Sequence, residues 1–334
     1  MGSCPTQNVF KDETRMTRCL ALLFLASAML GPASAQPAYP DRPIRIVIGF
    51  GPGGLADITM RLVGQKLTER TGQQVTIENR PGAGGVVAAS AVTSAAPDGY
   101  TLFVLSSGIA ISRSLLKTMP FDPVTAFAPI STVAYFDLLI LANAQSPLRT
   151  MDDVLKAARA NPGRFNVGTI NPGSTQNLSA GLLRSATGVD MTIVPYRSTP
   201  EVLTALLRDD IAIAVESYAA LKAAIDDRQI RAIAATGETR SPMQPSVPTL
   251  RESGIAAEMV GWNALVAPAQ TPKEIVAALN GHITAIAAMP DFRQRLIDLG
   301  TEAKASTPAE LGRRLAADID KWAAVIKKAG LEPR

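Results

Sequence analysis

The sequence predicts an α/β protein of two lobes joined by crossing strands, and three observations carry that expectation. Apolar, β-branched runs alternate with segments of helical spacing. Glycine-rich turns stand between successive strands and helices, and two long apolar segments lie where the chain would pass from one lobe to the other.

The first element is a leader. Lys11, Arg15 and Arg18 precede the apolar run Leu20 to Leu30, and Ala33-Ser34-Ala35 supplies a small-residue cleavage pattern, so residues 1–35 are expected to be a cleaved secretory signal peptide. The mature chain then begins at Gln36, with Met16 as an alternative start of translation. The apolar run is shorter than the roughly 20 residues of a membrane span, and no later stretch would serve, so a soluble exported protein is expected. Both cysteines, Cys4 and Cys19, leave with the leader, and no disulfide remains to form. The leader carries three basic and two acidic residues out of totals of 33 and 29, leaving net +3, too mild a charge to argue for nucleic acid.

Strands are expected at 44–50, 74–78, 101–105, 130–141, 164–169, 191–195, 211–215, 230–235 and 259–267, and helices near 56–71, 84–95, 151–160, 176–186, 200–208 and 218–226. This alternation implies mostly parallel sheets. The C-terminal third is helical, with Thr271-Pro272-Lys273-Glu274 and Thr307-Pro308-Ala309-Glu310 each supplying an N-cap, a proline at N1 and a glutamate at N3. No linker separates two domains, so Ile130 to Ala142 and Met259 to Ala267 are expected to cross between them. Lobe 1 is then 36–137 plus 262–334, and lobe 2 is 138–261.

Arg45 to Phe50 runs into Gly51-Pro52-Gly53-Gly54 and then a helix, the arrangement of an anion cradle made from backbone N–H groups at a helix start. Asn79-Arg80-Pro81-Gly82-Ala83-Gly84-Gly85 and Gly168 to Asn177 repeat the pattern, although ordinary strand-to-helix turns place Gly and Ser/Thr there too. Gly49 to Gly54 formally matches a dinucleotide fingerprint, with Glu78 lying 24 residues beyond Gly54. Pro52 removes a donor from that loop, and export separates the protein from nicotinamide cofactors. The sole histidine, His282, lies on an Ala-rich helix, and no G-x-S-x-G or D-x-D-x-D-G pattern is present. No catalytic residue, metal or cofactor is therefore expected, and the chain is not expected to be an enzyme.

Several stretches together carry a resemblance. Pro43-Ile44-Arg45-Ile46-Val47 leading to Pro52-Gly53-Gly54 and Asp57 is followed by Glu78 to Gly85 and Pro97-Asp98-Gly99-Tyr100-Thr101-Leu102. Gly173-Ser174, Val194-Pro195-Tyr196-Arg197, Arg231 to Ala234, Val247 to Gly254 and Trp262 to Pro272 continue the series. In this order they resemble the substrate-binding proteins of tripartite tricarboxylate transporters, the Bug-type family, across nearly all of the mature chain. The resemblance implies a two-lobed periplasmic binding protein, type II-like, whose interlobe cleft closes on a small carboxylate. It implies a monomer that hands its ligand to membrane permease subunits or presents its closed form to a sensor protein.

By the same resemblance Phe50, Pro52, Gly53, Gly54, Leu55, Ala56 and Asp57 form the first wall of the cleft, with Ser106 and Ser107 beside them. Ser174, Gln176, Asn177, Tyr196, Arg197 and Glu216 come from the second lobe. Asn177 stands where similar proteins often carry a histidine, so binding is expected to depend less on pH. Ser198-Thr199 replaces the more usual glycines, and Leu55-Ala56 is more apolar than the usual Ser/Thr. Arg197 could clamp a carboxylate or pair with Glu201; Glu216 could meet an ammonium or serve the hinge.

Overall fold

Alternate residues of the first apolar run, Ile44, Ile46 and Ile48, are fully buried, and Val47 is buried on the opposite side. A strand covered on both faces belongs in the middle of an α/β sheet. The computed structural model describes residues 1–2, 39–241 and 243–328; the expected signal peptide and its cleavage site lie outside the described residues.

Eleven strands follow in the order β1 (Ile44–Ile48), β2 (Val75–Asn79), β3 (Thr101–Ser106), β4 (Phe127–Asp137), β5 (Leu139–Asn143), β6 (Asn166–Ile170), β7 (Thr192–Tyr196), β8 (Ile213–Glu216), β9 (Ile230–Ala235), β10 (Val260–Pro268) and β11 (Thr301–Ala303). They form two sheets, ordered β11-β4-β10-β3-β1-β2 and β7-β6-β8-β5-β9. The architecture is α/β, with two sheets, one at the centre of each lobe.

Both sheets are mixed, where the strand-helix alternation implies mostly parallel ones. β1 runs parallel to β2 and β3, and β6 parallel to β7 and β8. The strands that follow a change of sheet run the other way: β10 is antiparallel to β3 and β4, and β5 to β8 and β9. The registers give the reason. Leu139, at the start of β5, pairs with Glu216 and Ala235 at the ends of β8 and β9, and Val260, at the start of β10, pairs with Asp137 at the end of β4. A strand entering a sheet from the junction begins where its neighbours finish, so it must run against them.

Thr236, buried at the crossing, ties three passes of backbone together. Its N–H donates to Leu138 O at 2.8 Å and its Oγ1 accepts from the Leu138 N–H at 2.9 Å. The same Oγ1 donates to Met259 O at 2.8 Å, and Thr236 O accepts from the Met259 N–H at 2.8 Å.

Among the described residues ten helices complete the fold: α1 (Leu55–Thr71), α2 (Val86–Thr93), α3 (Ser107–Leu115), α4 (Met151–Ala160), α5 (Thr175–Thr187), α6 (Thr199–Leu207), α7 (Tyr218–Asp226), α8 (Lys273–Ala288), α9 (Pro290–Ile297) and α10 (Pro308–Lys328). At α10 the reciprocal cap is present, with the Glu310 N–H on Thr307 Oγ1 at 3.2 Å and the Thr307 N–H on Glu310 Oε2 at 2.8 Å. The expected cap at α8 is not formed: Pro272 takes the N-cap position, and Thr271 Oγ1 donates backward to Pro268 O at 2.7 Å. Helix α3 was not among the helices expected, although Ser106 stands at its N-cap. It follows β3 directly, and its small residues Gly108 and Ser112 lie against the turn at Gly173.

Candidate functional site

A narrow cavity with about 20 Å3 of free volume, room for about one water, lies between the two sheets. Its apolar lining is Phe50, Leu55, Ala56, Phe136 and Ile170, and its polar lining is Ser106, Asn263, Thr175, Gln176, Ser198 and Thr199, together with Gly51 and Gly54. Among the described residues no charged side chain lines it. Four helix starts meet there: Gly54-Leu55-Ala56 of α1, Ser106 before α3, Thr175-Gln176 of α5 and Ser198-Thr199 of α6. Three of the four, those of α1, α3 and α6, have no side-chain cap. Unpaired N–H groups at helix starts, each with a positive dipole end, favour an anion.

Two further polar groups in the lining lack a protein partner. Ser106 Oγ and Asn263 Nδ2 are buried, with each residue 2 % exposed, and neither makes a hydrogen bond among the described residues. They are opposite one another in the β3-β10 register. A buried unsatisfied group costs about 1–3 kcal/mol, so this pair is poised to meet a ligand.

The first turn is held by Asp57. Its Oδ2 accepts from the Gly53 N–H at 3.0 Å and Arg61 Nε at 3.0 Å; its Oδ1 accepts from Arg61 Nη2 at 2.8 Å and Asn79 Nδ2 at 3.0 Å. Burial pushes the carboxyl up, but the bonds from Arg61, Gly53 and Asn79 outweigh it and hold the group below its usual range. Asn79 Nδ2 also donates to Phe50 O at 3.1 Å. Asp57 therefore faces back into its own loop and occupies the Gly53 N–H, leaving Gly54, Leu55 and Ala56 to supply the backbone on the cavity side. Pro52 is exposed, and Gly53 sits at φ +80° beside Pro200.

The second sheet contributes a turn that is internally saturated. Ser174 Oγ accepts from the Asn177 N–H at 3.1 Å and donates to Ile170 O at 3.1 Å. Asn177 Nδ2 donates to Thr169 Oγ1 at 3.0 Å, and its Oδ1 accepts from the Gly173 N–H at 3.3 Å. Beyond the turn, Glu216 is fully buried at the end of β8. Its Oε1 accepts from Gln176 Nε2 at 2.8 Å and the Ser217 N–H at 2.7 Å; its Oε2 accepts from Thr199 Oγ1 at 2.6 Å. Burial raises its pKa, and the bonds from Thr199, Gln176 and Ser217 only partly offset that.

The two sides touch at backbone. A Cβ placed on Gly51 would stand 2.9 Å from Arg197 O and 3.1 Å from Ser198 Cβ, and one on Gly84, at φ +64°, 2.7 Å from the Gly173 carbonyl carbon. Ser107 Oγ and Thr175 Oγ1 are 3.1 Å apart, and Ser112 Oγ donates to Gly173 O at 3.4 Å.

Of the residues singled out in the sequence, Phe50, Gly54, Leu55, Ala56, Ser106 and Gln176 line the cavity. Pro52, Gly53, Asp57, Ser107, Ser174, Asn177, Tyr196, Arg197 and Glu216 are not in the lining. The Arg197 side chain is exposed, and its N–H donates to Glu201 Oε2 at 3.2 Å. Gly51, from the expected cradle, and Ser198 and Thr199, singled out for replacing the usual glycines, also line the cavity, and Phe136, Ile170, Thr175 and Asn263 line it without having been expected there. Asn263 carried a signal, as an amide interrupting the apolar run of β10. Glu78 bonds Arg45 at 3.2 Å and also pairs with Arg80.

The family model described as "Tripartite tricarboxylate transporter family receptor" matches residues 59–331. The chain is 30% identical to Protein BugT of Bordetella pertussis over 320 residues, covering 94% of this chain and 98% of that one. It is 34% identical over 311 residues to a Cupriavidus necator protein described as "UPF0065 protein in gbd 5'region", covering 92% and 94%. Among solved structures, Rpa4515 of R. palustris with adipate superposes with a TM-score of 0.85 at 32% identity, covering 89% of this chain and all of that one. MatC from Rhodopseudomonas palustris with bound malate gives 0.82 at 30%, covering 86% and 100%. The chain belongs to the tripartite tricarboxylate transporter family of receptors, the family of the Bug proteins.

Proposed function

We propose that this protein captures a small carboxylate in the periplasm, in the cleft between its two sheets, and carries it to membrane permease subunits. One observation carries the reading: three uncapped helix starts and the unpartnered Ser106 and Asn263 converge on a cavity without a charged side chain. Such a cavity attracts an anion by fixed dipoles and hydrogen bonds. Adipate and malate, in the related structures Rpa4515 and MatC, are of this class. The family and the structural neighbours are binding proteins, and the site holds no nucleophile-base pair, which fits capture without turnover.

The lobes are 36–137 plus 262–334 and 138–261, and the chain acts as a monomer whose lobes separate and close about the Thr236 crossing. Ligand favours the closed form because only that form brings the helix starts of both sheets onto it. A thermal-shift panel of mono-, di- and tricarboxylates tests this, with amines and neutral sugars as controls. A concentration-dependent rise in Tm with a subset of the acids is expected. A rise with a control and none with any acid would overturn the reading.

A further inference from the structure

We infer that Glu216 is a positioning residue that fixes the polarity of the cavity, so that the preferred ligand carries a carboxylate at one end and a hydrogen-bond donor, a hydroxyl or an ammonium, at the other. The inference rests on the carboxylate reading above and extends it to the far end of the ligand.

Glu216 does not line the cavity; Gln176 and Thr199 do, and both are bound to it. Three donors, Gln176 Nε2, the Ser217 N–H and Thr199 Oγ1, fall on its two oxygens, the pattern of a carboxylate that accepts and does not donate. Oε1 already takes the Ser217 N–H at 2.7 Å, so the Gln176 amide must turn its NH2 toward it. The Gln176 carbonyl is thereby directed away from Glu216. Thr199 gives its proton to Oε2 and keeps only lone pairs for anything else. Where it is backed by the buried Glu216 carboxylate, the second-sheet wall thus offers acceptors on Gln176 and Thr199, while the Ser198 and Thr175 hydroxyls and the start of α6 lie beside them. Across the cavity, the first-sheet wall offers Ser106 Oγ, Asn263 Nδ2 and the start of α1, none of them used by the protein. A carboxylate placed on the first-sheet wall is matched. A second carboxylate at the other end would meet lone pairs and a like charge, whereas a hydroxyl or ammonium there has partners waiting.

The test is isothermal titration at pH 8 with acids of equal length that differ only at the far end: succinate against γ-hydroxybutyrate and γ-aminobutyrate, and adipate against ε-hydroxyhexanoate. In the wild type the hydroxy or amino acid of at least one length is expected to bind about tenfold or more tightly than its diacid, the scale of one unmatched hydrogen bond. In Glu216→Gln the amide Nε2 replaces Oε2 and donates to Thr199, whose own proton then turns outward. The preference should fall below about threefold or reverse toward the diacid. Because that variant removes a buried charge and could melt early, Thr199→Ser and Thr199→Val provide a second arm: serine should keep the preference and valine should lose it. Equal or tighter binding of the diacids by the wild type overturns the inference while leaving the carboxylate reading intact. An unchanged preference in both Glu216→Gln and Thr199→Val also overturns it. If no acid of any kind binds, both readings fall.

Discussion

The two walls of the cleft use the same local design, a strand ending in a Gly-containing turn that opens a helix, yet they spend their hydrogen bonds differently. In the turn at Gly51 to Asp57 the one carboxylate reaches back to Gly53 and outward to Arg61, and the helix start is left bare. In the turn at Gly173 to Asn177 the side chains cap the helix themselves, with Ser174 on the Asn177 N–H and Asn177 on the Gly173 N–H. The first turn can give its backbone to a ligand because its charge lies behind it. The second has little left to give, and its contribution passes to Thr175, Gln176 and Thr199, side chains on the first turn of each helix. A helix start is therefore a binding element only when nothing in the chain has already capped it.

The strongest way to break this comparison is to keep the walls apart. Gly51 has no left-handed backbone angle to strain, and its would-be Cβ meets Arg197 O and Ser198 across the cleft. Gly51→Val should leave the fold and the unliganded Tm nearly unchanged. It should weaken ligand binding about 100-fold or more, some 2.7 kcal/mol, by holding the cleft open. Calorimetry beside a melting curve decides; near-normal affinity would mean that closure at this point is not needed.

Asp57→Asn attacks the charge behind the first wall. It removes the acceptor pair for Arg61 while leaving the buried amide beside Asn79, and a loss of about 2–3 kcal/mol of stability is expected, moderated because Arg61 is half exposed. The pH dependence has a definite sign. The folded pKa of Asp57 lies below its unfolded value, so its stabilisation is present above about pH 4 and disappears as pH falls through the lower folded value. Wild-type Tm should fall steeply below pH 4, and the variant's should fall less. Parallel acid profiles for the two proteins would show that the Asp57 network is not what holds the turn.

How far the site could be read in advance follows the same division. Local chemistry was legible: the glycine turns, the two proline-marked helix starts and the alternation of strand and helix all have signatures within a few residues, whereas Ser174, expected at the ligand, is the cap of α5. What a side chain meets across the fold was not. The resemblance put Asp57 in the wall of the cleft, and Arg197 could clamp a ligand or pair with Glu201; in the structure the Arg197 side chain lies exposed with its backbone N–H on Glu201, and Asp57 is consumed by its own loop. Thr199 and Asn263 gain their places from elements far apart in the chain, α6 and β10, which only the crossing strands bring together. The mixed sheets were missed for the same reason, since strand direction at a crossing depends on which end of the sheet the chain enters.

Asn177→Ala probes the second wall. Both ends of the amide serve the turn, so the cost should appear in the unliganded protein as about 1–2 kcal/mol, a Tm lowered by several degrees, with any loss of affinity following from the looser turn. The sequence suggests the opposite, weaker binding with apo melting nearly unchanged. A variant with wild-type apo melting and impaired binding would place Asn177 on the ligand.

The smallest effect is expected at Arg197. Its side chain is exposed and is not part of the cavity lining, and its backbone, through the N–H to Glu201 and the carbonyl beside Gly51, already does what the closed cleft requires of it. Truncation to alanine leaves both backbone groups in place. What it removes is a positive charge close to the mouth, whose influence on an incoming anion is long-range and screened by salt. Arg197→Ala should therefore slow association a few-fold at low ionic strength, converge with the wild type near 0.5 M salt, where the screening length is only a few ångströms, and change Kd by less than about threefold. Stopped-flow association rates across a salt series separate the two roles. A salt-independent loss carried by faster dissociation would mean that the guanidinium closes onto the carboxylate once the ligand is in place.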